Sequence, residues 1–384
     1  NPEEITIAKL LRDAGYTTKL VGKWHCGDQS PFLPTAHGFD SFYGLPYSND
    51  MGRQSNKPNY PPLPLMRGET VVQQQPDQCS LTERYVEEAV RFIRENRQGP
   101  FFLYFAHMYV HTPLFVSDVF RKRSRNGNYG AAVDCIDWAA GALLHELENQ
   151  GLAENTLVIF TSDNGGKYPE SNQPLRGTKG STWEGGMRLP CIMRWPGQIP
   201  AGSTCREIAT AMDFYPTLAG LAGADLPDDR IIDGKDIRSL ILAGGAGSSP
   251  HEAVFYYLSN RLEAVRCGQW KLHVCKSKRP NSPDDTVGVP NPEDNPDLLQ
   301  VTPMQELYDL YADPGETRNS YDEHPEVVAD LTARIEACRR DLGDTATGVI
   351  GENVRPIGRV QAAALLTEYD PNHPYLIDEY DLEE

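Results

Sequence analysis

Helical segments alternate with short apolar segments along the first half of the chain, and this alternation constrains the fold more than any other feature. Three segments carry helical periodicity: Ile5 to Ala14, a segment opened by the capping box Ser80–Glu83, and Tyr129 to Gln150. Three short runs are predicted strands: Thr17 to Gly22, Phe101 to Ala106 and Thr156 to Thr161. The last two runs are continuously apolar, so we expect buried strands there. Helices alternating with strands predict an α/β fold with a mostly parallel sheet sandwiched by helices.

The pattern changes near Ser249, where predicted strands follow one another. Three strands and an amphipathic helix are predicted in this part: Val254 to Leu258, Glu263 to Val274, Glu306 to Leu310, and a helix marked by Val327, Leu331, Ile335 and Leu342. A stretch rich in Pro, Asp and Asn, from Lys276 to Asn295, is predicted to be a long loop. We therefore predict a large domain over residues 1–248, a smaller C-terminal α+β domain over residues 249–345 and a tail over residues 346–384.

A net charge of -18 limits the partners of this chain. An acidic surface disfavours nonspecific binding to nucleic acid and to anionic membranes. It also repels an anionic substrate, so such a substrate needs a local cluster of Lys, Arg, His or a metal ion. No apolar run is long enough to span a membrane. The eight cysteines include no CxxC pair, which excludes a zinc ribbon and leaves both disulfide pairing and oligomeric state open.

Polar residues follow the predicted strands, where ligands of α/β sheets bind. The candidates at the three strand ends and in one glycine-rich loop are Lys23, His25, His111, Asp163, Asn164 and Lys179. If the backbone stays extended after the first strand, Lys23 and His25 point to the same side. Lys179 lies between Gly177 and Gly180, which would let the loop approach a bound anion closely.

Each candidate also has an ordinary structural explanation when it is considered alone. A lysine at a strand end can be solvated, a histidine can be a satisfied polar residue near the core, and Asp163-Asn164-Gly165 can be a simple turn. Their joint placement favours a site for a tetrahedral anion and a hard cation. Carboxylate and amide oxygens suit calcium or magnesium better than zinc.

Other catalytic motifs are incomplete in this sequence. The loop at Gly177–Gly180 does not match the GxxxxGK[ST] pattern of a Walker loop. His145-Glu146 begins an HExxH pattern, but Asn149 stands where the second histidine is needed. No G-x-S-x-G segment occurs, which excludes the usual nucleophile elbow of a serine hydrolase.

Five segments, in this order, resemble the sulfatases of the alkaline phosphatase superfamily, and above all the arylsulfatases. They are GKWHCG, PYSND, FFLYFAHMYVHTP, TSDNGG and RGTKGSTWEGG. The resemblance implies an alkaline phosphatase-like fold. It also implies a sulfuric ester hydrolase that removes sulfate from a sulfated carbohydrate or an aryl sulfate. In that family, a formylglycine made from the Cys or Ser of C/S-x-P-x-R attacks sulfur beside a calcium ion.

The resemblance also implies roles for individual side chains. Lys23 and Lys179 would bind the sulfate oxygens, where developing negative charge must be stabilised. Ser48, in PYSND, would contact the substrate. His25 would help to orient and deprotonate the nucleophile, and His111 would protonate the leaving alcohol.

Part of the family pattern is missing. Asp163 and Asn164 would form half of the calcium site, but the paired N-terminal aspartates of the other half are absent. No Cys or Ser begins a C/S-x-P-x-R segment, and Cys26, which is followed by Gly-Asp-Gln-Ser, has no activating motif. We therefore expect an N-terminally truncated sequence, with the nucleophile upstream of it. We further expect the 384-residue chain alone to be inactive and to bind calcium poorly.

Two alternatives remain open at this stage: a non-catalytic relative that binds sulfated glycans, and a phosphodiesterase or phosphonate hydrolase of the same superfamily. Substrate specificity is predicted to lie in the loops Asn49 to Gln75 and Lys276 to Asn295, which carry no recognisable code. We also expect an exported bacterial protein, periplasmic or extracellular, because formylglycine sulfatases that act on polysaccharides are usually exported.

Overall fold

The computed structural model describes residues 1–54, 57–167, 171–278 and 300–373. These residues divide into two compact units. The first contains residues 1–156, 212–230 and the described residues from 356 onward, and the second contains residues 157–211 and 231–355. The domain boundaries predicted after residues 248 and 345 come from changes in the pattern of predicted helices and strands, and they stay predictions. Within the described ranges, no helix has both the length and the apolar character needed to cross a membrane.

The first unit is built on a five-stranded sheet. Its strands are β1 (Thr17–Lys23), β2 (Ser41–Leu45), β3 (Pro64–Arg67), β4 (Thr70–Gln74) and β5 (Phe101–Ala106). Their order across the sheet is β4-β3-β2-β1-β5. β1 is parallel to both of its neighbours, β2 and β5, whereas β3 and β4 join antiparallel. The carboxyl ends of β1, β2 and β5 therefore lie at the same edge of the sheet.

The second unit contains two smaller antiparallel sheets. The first pairs β6 (Val158–Thr161) with β7 (Cys191–Arg194). The second has the order β11-β10-β9-β8 and contains β8 (Val254–Leu258), β9 (Arg261–Cys267), β10 (Trp270–Lys278) and β11 (Gln300–Asp309). The predicted α/β class with a separate C-terminal α+β part is confirmed.

Eight α-helices occur among the described residues: α1 (Ile7–Asp13), α2 (Leu81–Glu95), α3 (Asp118–Arg123), α4 (Gly127–Asn149), α5 (Glu184–Met187), α6 (Phe214–Ala222), α7 (Arg238–Leu242) and α8 (Pro325–Leu342). Helices cover both faces of the sheet at β1. Leu20 and Val21 are fully buried on opposite faces of this strand. Val21 packs with Leu81 and Tyr85 of α2, and Leu20 packs with Ala8 of α1.

Two local predictions are wrong. The predicted single strand from Glu263 to Val274 is a hairpin of β9 and β10, because the chain turns at Gly268 with φ 55°. The Ser80–Glu83 capping box does not form. Ser80 Oγ donates to Asp77 O (2.8 Å), and Glu83 accepts instead from Ser117 Oγ (2.8 Å).

The two apolar strands expected to be buried are only partly buried. β5 lies at the edge of its sheet, and Tyr104 on it is 49% exposed. Among the described strands β6 pairs only with β7, and Phe160 on β6 is 42% exposed. The apolar runs therefore predict strands correctly, but not how many neighbours each strand has. The predicted loop continues beyond Lys278 into residues 279–299, and the predicted tail ends with residues 374–384, both outside the described residues.

Candidate functional site

Three of the predicted site residues follow the three parallel strands of the first unit. Lys23 is the last residue of β1, Ser48 lies shortly after β2, and His111 lies shortly after β5. Since these strands end at the same edge of the sheet, the first unit brings the three residues to that edge. The strand pattern predicts this position for Lys23 and His111, whereas Ser48 is a candidate only through the family resemblance. Ser48 is 2% exposed, and Lys23 and His111 are half-buried.

Glycine makes the close approach of these strands possible. Gly22 precedes Lys23 and is paired with Gly44 on β2 and with Ala106 on β5. A Cβ on Gly22, where φ is 119°, would lie 2.0 Å from Ala106 O, and a Cβ on Gly44 would lie 1.8 Å from Gly22 O. Any larger side chain would force the backbones apart. The position of Lys23 thus depends on two glycines on neighbouring strands.

His25 does not continue the strand. Its φ is 58°, which is left-handed, so the extended backbone that would place His25 and Lys23 on the same side is not present. The Trp24 and His25 amides donate to Leu45 O and Pro46 O (both 3.0 Å), so this segment follows the chain leaving β2. His25 is exposed.

Cys26 is not built as an activated nucleophile. The residue is exposed as a whole, yet local desolvation raises the pKa of its thiol above the ordinary value. Reactive cysteines have lowered pKa values, because the thiolate is the nucleophile. All eight cysteines lie in described parts of the chain, and all are free thiols.

A buried polar bridge joins the loop after β2 to the loop after β5. Asn49 Nδ2 donates to Gln78 Oε1 (3.0 Å) and to Pro113 O (3.0 Å). Its Oδ1 and the neighbouring Ser48 Oγ are buried and have no partner of standard hydrogen-bond geometry among the described residues. Buried polar atoms without a partner of standard geometry are costly, and each one calls for an explanation, such as a catalytic role or a bound water or ion. Asn49 belongs to the PYSND segment, but sequence reasoning singled out only Ser48.

Asp50 connects Ser48 and His111 electrostatically. Burial by itself would raise the pKa of the Asp50 carboxyl. The Ser48 hydroxyl, acting at less than ideal geometry, and the nearby His111 and Lys57 together lower that pKa below its ordinary value. The Nδ1 atom of His111 lies 2.7 Å from Thr112 O and therefore carries a proton, since a carbonyl oxygen only accepts. Nε2 is then the ring nitrogen at which the imidazole can bind or release a second proton.

The second unit joins the loop after β6 to the glycine-rich loop. Gly165 N donates to Gly186 O (3.0 Å), and Lys179 N donates to Gly166 O (2.9 Å). A Cβ on Gly165 would lie 1.8 Å from Gly185 O, so this contact requires glycine. Asp163 and Asn164 directly precede Gly165, and they are thereby brought next to the loop of Lys179, as the sequence predicts.

Asn172 fixes the junction of the two loops. Its Nδ2 donates to Gly166 O (3.0 Å) and Gly177 O (3.1 Å), and its Oδ1 accepts from Gly166 N (2.9 Å). Gly177 and Gly180 have φ of 85° and 80°, so both glycines are needed for the turn that carries Lys179. No sequence pattern pointed to Asn172, because its partners are backbone atoms of other loops.

The fit of a calcium ion to the described residues is incomplete. Asp163 and Asn164 offer adjacent carboxylate and amide oxygens, which are suitable donors for this ion. Calcium takes roughly six to eight oxygen ligands. Across the described parts of the chain, no group of three or more His, Cys, Asp or Glu side chains could hold a metal ion. These residues do not compose a complete metal site.

Three family models match parts of the chain, and one of them, described as N-sulphoglucosamine sulphohydrolase, C-terminal, matches residues 178–272. The sulfatase model matches residues 2–224. The third model, described as the C-terminal region of aryl-sulfatase, matches residues 249–360.

Two curated relatives are similar over most of the chain. An arylsulfatase of Hemicentrotus pulcherrimus is 38% identical over 342 residues, which are 82% of this chain and 61% of the relative. An N-acetylgalactosamine-6-sulfatase of Rattus norvegicus is 41% identical over 288 residues, which are 71% of this chain and 54% of the relative. The chain therefore spans less than two thirds of the length of both relatives.

Solved structures agree with the family matches. A sulfatase from Pseudoalteromonas sp. has a TM-score of 0.77 and 27% identity, over 92% of this chain and 75% of that chain. A protein crystallised in complex with k-i-k-neocarrahexaose has a TM-score of 0.70 and 27% identity, over 92% of this chain and 77% of that chain.

Proposed function

The chain belongs to the sulfatase family, and from this premise we propose that it is the main body of an enzyme that hydrolyses sulfate esters. The observation that carries the proposal is the joined loop pair of the second unit. Backbone hydrogen bonds and the Asn172 side chain join the loop that contains Asp163 and Asn164 to the loop that contains Lys179, which supports a common site for these three residues. An anion-binding lysine beside hard-cation ligands is the chemistry that a sulfate ester requires.

The proposed reaction breaks the bond between sulfur and the oxygen of the leaving alcohol. Lys23 and Lys179 bind the sulfate oxygens and stabilise the negative charge that develops on them. His111 gives a proton from Nε2 to the departing oxygen, so that a neutral alcohol leaves. His25 assists the nucleophile, and Ser48 contacts the substrate.

The nucleophile and the cofactor are proposed to depend on residues beyond the printed sequence. No C/S-x-P-x-R segment occurs in the chain, so a formylglycine that attacks sulfur would be supplied from outside it. Calcium is the proposed cofactor, with magnesium as the less favoured ion, and its charge would offset that of the sulfate. Asp163 and Asn164 would contribute two of its ligands. On this basis the 384-residue chain alone is inactive.

The proposed substrate is a sulfated carbohydrate or an aryl sulfate. The names of the relatives support both classes, since they include an arylsulfatase and an N-acetylgalactosamine-6-sulfatase. A structural relative crystallised with k-i-k-neocarrahexaose adds support for a carbohydrate. Such a substrate fits an exported enzyme, periplasmic or extracellular, and export is part of the proposal.

Sulfate release tests this function directly. We would compare the 384-residue chain with the same chain preceded by its natural upstream sequence, using 4-nitrophenyl sulfate, sulfated oligosaccharides and 4-nitrophenyl phosphate. We expect turnover of sulfate esters only by the longer protein, and loss of that turnover in Lys179→Ala. Preference for the phosphate ester would indicate a phosphodiesterase. Binding of sulfated oligosaccharides without turnover by the longer protein would indicate a non-catalytic glycan-binding protein. Turnover by the short chain would contradict its proposed inactivity.

The acid role of His111 is tested with a series of leaving groups. In the longer protein, His111→Ala should slow aryl sulfates with poor leaving groups by roughly 10²–10⁴-fold, because they need the proton most. Aryl sulfates with good leaving groups should be slowed much less. A steady-state series of substituted phenyl sulfates measures the difference. Equal losses across the series would show that His111 does not act as the acid.

A further inference from the structure

The loop that carries Lys179 ends against the C-terminal sheet. Trp183, shortly after Lys179, is fully buried, and two cations lie over its ring. The Arg176 guanidinium is 3.6 Å from the ring centroid and Lys276 Nζ is 4.1 Å from it. Both cations and the tryptophan belong to the second unit. The end of the loop is therefore packed into the sheet and not left in solvent.

Lys271 on β10 binds this end of the loop directly. The side chain is fully buried, and its Nζ donates to Thr182 O (2.8 Å) and to Glu184 Oε1 (2.9 Å). Its third polar contact is an ion pair with Glu316 Oε1 (3.0 Å). An ammonium group has three protons, so these three acceptors satisfy it. Two of the acceptors belong to the segment that carries Lys179.

Glu316, which follows β11, binds the same segment from a second position. Its Oε2 accepts from Glu184 N (2.7 Å), the amide of the first residue of α5. Its Oε1 also accepts from His273 Nε2 (2.8 Å). Burial, with nearby Lys276 and Lys271, holds the pKa of His273 well below its ordinary value. His273 is therefore a neutral imidazole with its proton on Nε2, and it donates a further hydrogen bond to the Glu316 carboxylate.

A third set of side chains holds Thr182. Its hydroxyl donates to Glu263 Oε2 (2.6 Å) and accepts a hydrogen bond from Lys276 Nζ. Lys276 and Glu263 also form an ion pair at 3.6 Å. Residues 182–184 are thus held by charged side chains from β9 and β10 and by Glu316 beyond β11.

Short hydrogen bonds within the loop connect residues 182–184 to the residues next to Lys179. Gly185 N donates to Arg176 O (2.7 Å), which closes the loop at its base. Ser181 N (3.1 Å) and Ser181 Oγ (2.8 Å) both donate to Thr178 O, the residue before Lys179. The loop is therefore a closed ring of backbone contacts with one side fixed on the sheet. A displacement of residues 182–184 would move the ring as a whole.

We propose that Lys271 and Glu316 are positioning residues for Lys179, holding its loop in the conformation that meets Asp163 and Asn164. The proposal rests on the proposed function, because it gives Lys179 the task of binding a sulfate oxygen. A buried ionic cluster contributes little net stability relative to apolar residues of the same volume. The buried charged side chains instead restrict the loop to one conformation, since all of their hydrogen bonds are satisfied only in that conformation.

Hydrogen–deuterium exchange of the 384-residue chain, read by mass spectrometry in peptides covering 162–167 and 176–187, tests the positioning. The variants are Lys271→Met, Lys271→Arg and Glu316→Gln. The matched control is Leu331→Ala, which opens a cavity in the core between α8 and the same sheet. Exchange is compared at urea concentrations where Lys271→Met and the control have equal global stability.

We expect exchange in 176–187 to be at least tenfold faster in Lys271→Met than in the stability-matched control. The increase should be smaller in Glu316→Gln, which keeps an acceptor for the Glu184 amide, and smaller again in Lys271→Arg, which keeps the charge. An equal increase in the control, or no increase in any variant, would overturn the positioning role. If Lys271→Met does not fold, the other two variants decide the question on the same criterion.

Turnover by the longer protein separates this proposal from the proposed function. If that protein hydrolyses sulfate esters, Lys271→Met should lower kcat/KM at least tenfold more than Leu331→Ala does. If the unmodified longer protein shows no turnover, the proposed function fails. In that case the exchange experiment still decides whether Lys271 and Glu316 hold the loop.

Discussion

The two units differ in the charge balance of the ionic cluster that supports each candidate lysine. In the first unit, one carboxylate is shared by three cations: Glu88 accepts hydrogen bonds from Lys19, Arg67 and Arg91. Lys19 lies on β1, the strand that ends at Lys23. Burial alone would raise the pKa of Glu88, but the hydrogen bonds from Arg67 and Lys19 lower it to about 2.

The cluster of the second unit has a different composition. One cation, Lys271, is shared by two carboxylates, Glu184 and Glu316, and all three side chains are almost completely buried. Arg266 forms a longer ion pair with Glu184 (3.5 Å), so Glu316 is the carboxylate that depends on Lys271 alone for a charged lysine or arginine partner among the described residues. Burial raises the pKa of Glu316 above its ordinary value, and this effect exceeds the opposing attraction of Lys271. The pKa of Glu316 is therefore shifted in the direction opposite to that of Glu88. Burial by itself would also raise the pKa of Glu184, but Lys271 and Arg266 lower it below its ordinary value. The balance between burial and the cations around each carboxylate decides the direction.

Removing one lysine from each cluster should produce the largest difference between them. Lys271→Met leaves two buried carboxylates without their shared cation, and we expect a loss of about 3–5 kcal/mol of unfolding free energy. Lys19→Met leaves Glu88 with two arginines, and we expect a loss of about 1 kcal/mol. Urea unfolding followed by hydrogen exchange in peptides of each unit measures both losses separately. Equal losses would show that the composition of the clusters has no consequence for stability.

Glu88 and Glu316 should contribute to the pH dependence of stability with opposite sign. Because the folded pKa of Glu88 is depressed, its contribution is complete above about pH 4.5 and is lost as the pH falls toward about 2. Because the folded pKa of Glu316 is raised, its ionisation makes the folded state less stable as the pH rises above about 4.5.

Glutamine variants isolate these two contributions. The stability difference between the wild-type protein and Glu88→Gln should shrink between pH 4.5 and pH 2. Glu316→Gln should remove a decline in stability that the wild-type protein shows just above pH 4.5. Urea midpoints measured from pH 2 to pH 7, with unit-specific probes, give both slopes. Contributions of the same sign from Glu88 and Glu316 would contradict the opposite directions of their pKa shifts.

The smallest expected effect concerns a buried hydroxyl outside both clusters. Ser48→Ala should change the unfolding free energy by less than about 1 kcal/mol, because Ser48 Oγ has no partner of standard geometry among the described residues. Thr82→Val is the matched control, since Thr82 Oγ1 is buried but lies 3.0 Å from His107 Nε2, and it should cost about 1–3 kcal/mol. Chemical denaturation measures both. A larger loss for Ser48→Ala would show that its hydroxyl stabilises the fold.

The sequence predicts the positions of the candidate residues better than it predicts their surroundings. Apolar runs located β1, β5 and β6, and Lys23, His111 and Asp163 follow these strands where expected. Such runs reflect a local requirement, the burial of consecutive side chains, which is visible in a few residues of sequence. The number of neighbouring strands is not local, and the half-exposed β5 and β6 were therefore expected to be buried.

The errors at Ser80 and Gly268 have a related cause. Ser80 satisfies the capping pattern, but its hydroxyl finds a closer acceptor in Asp77 O. Gly268 divides a continuous β-prone segment into a hairpin, which periodicity alone does not show. The supports of Lys179 lie furthest from any sequence signal. Glu184 and Glu316 are 132 positions apart, so only the fold brings them together.

The Asn172 amide implies a chemical vulnerability at the junction of the two loops. Every hydrogen bond found there distinguishes nitrogen from oxygen, because Nδ2 faces two carbonyl oxygens and Oδ1 faces an amide N–H. Deamidation to aspartate would preserve the shape of the side chain almost completely. It would nevertheless place an anionic oxygen against Gly166 O and Gly177 O, where a donor is required. Ageing of the protein at this single side chain would therefore weaken the junction and leave the two loops joined by the backbone hydrogen bonds of Gly165 and Lys179.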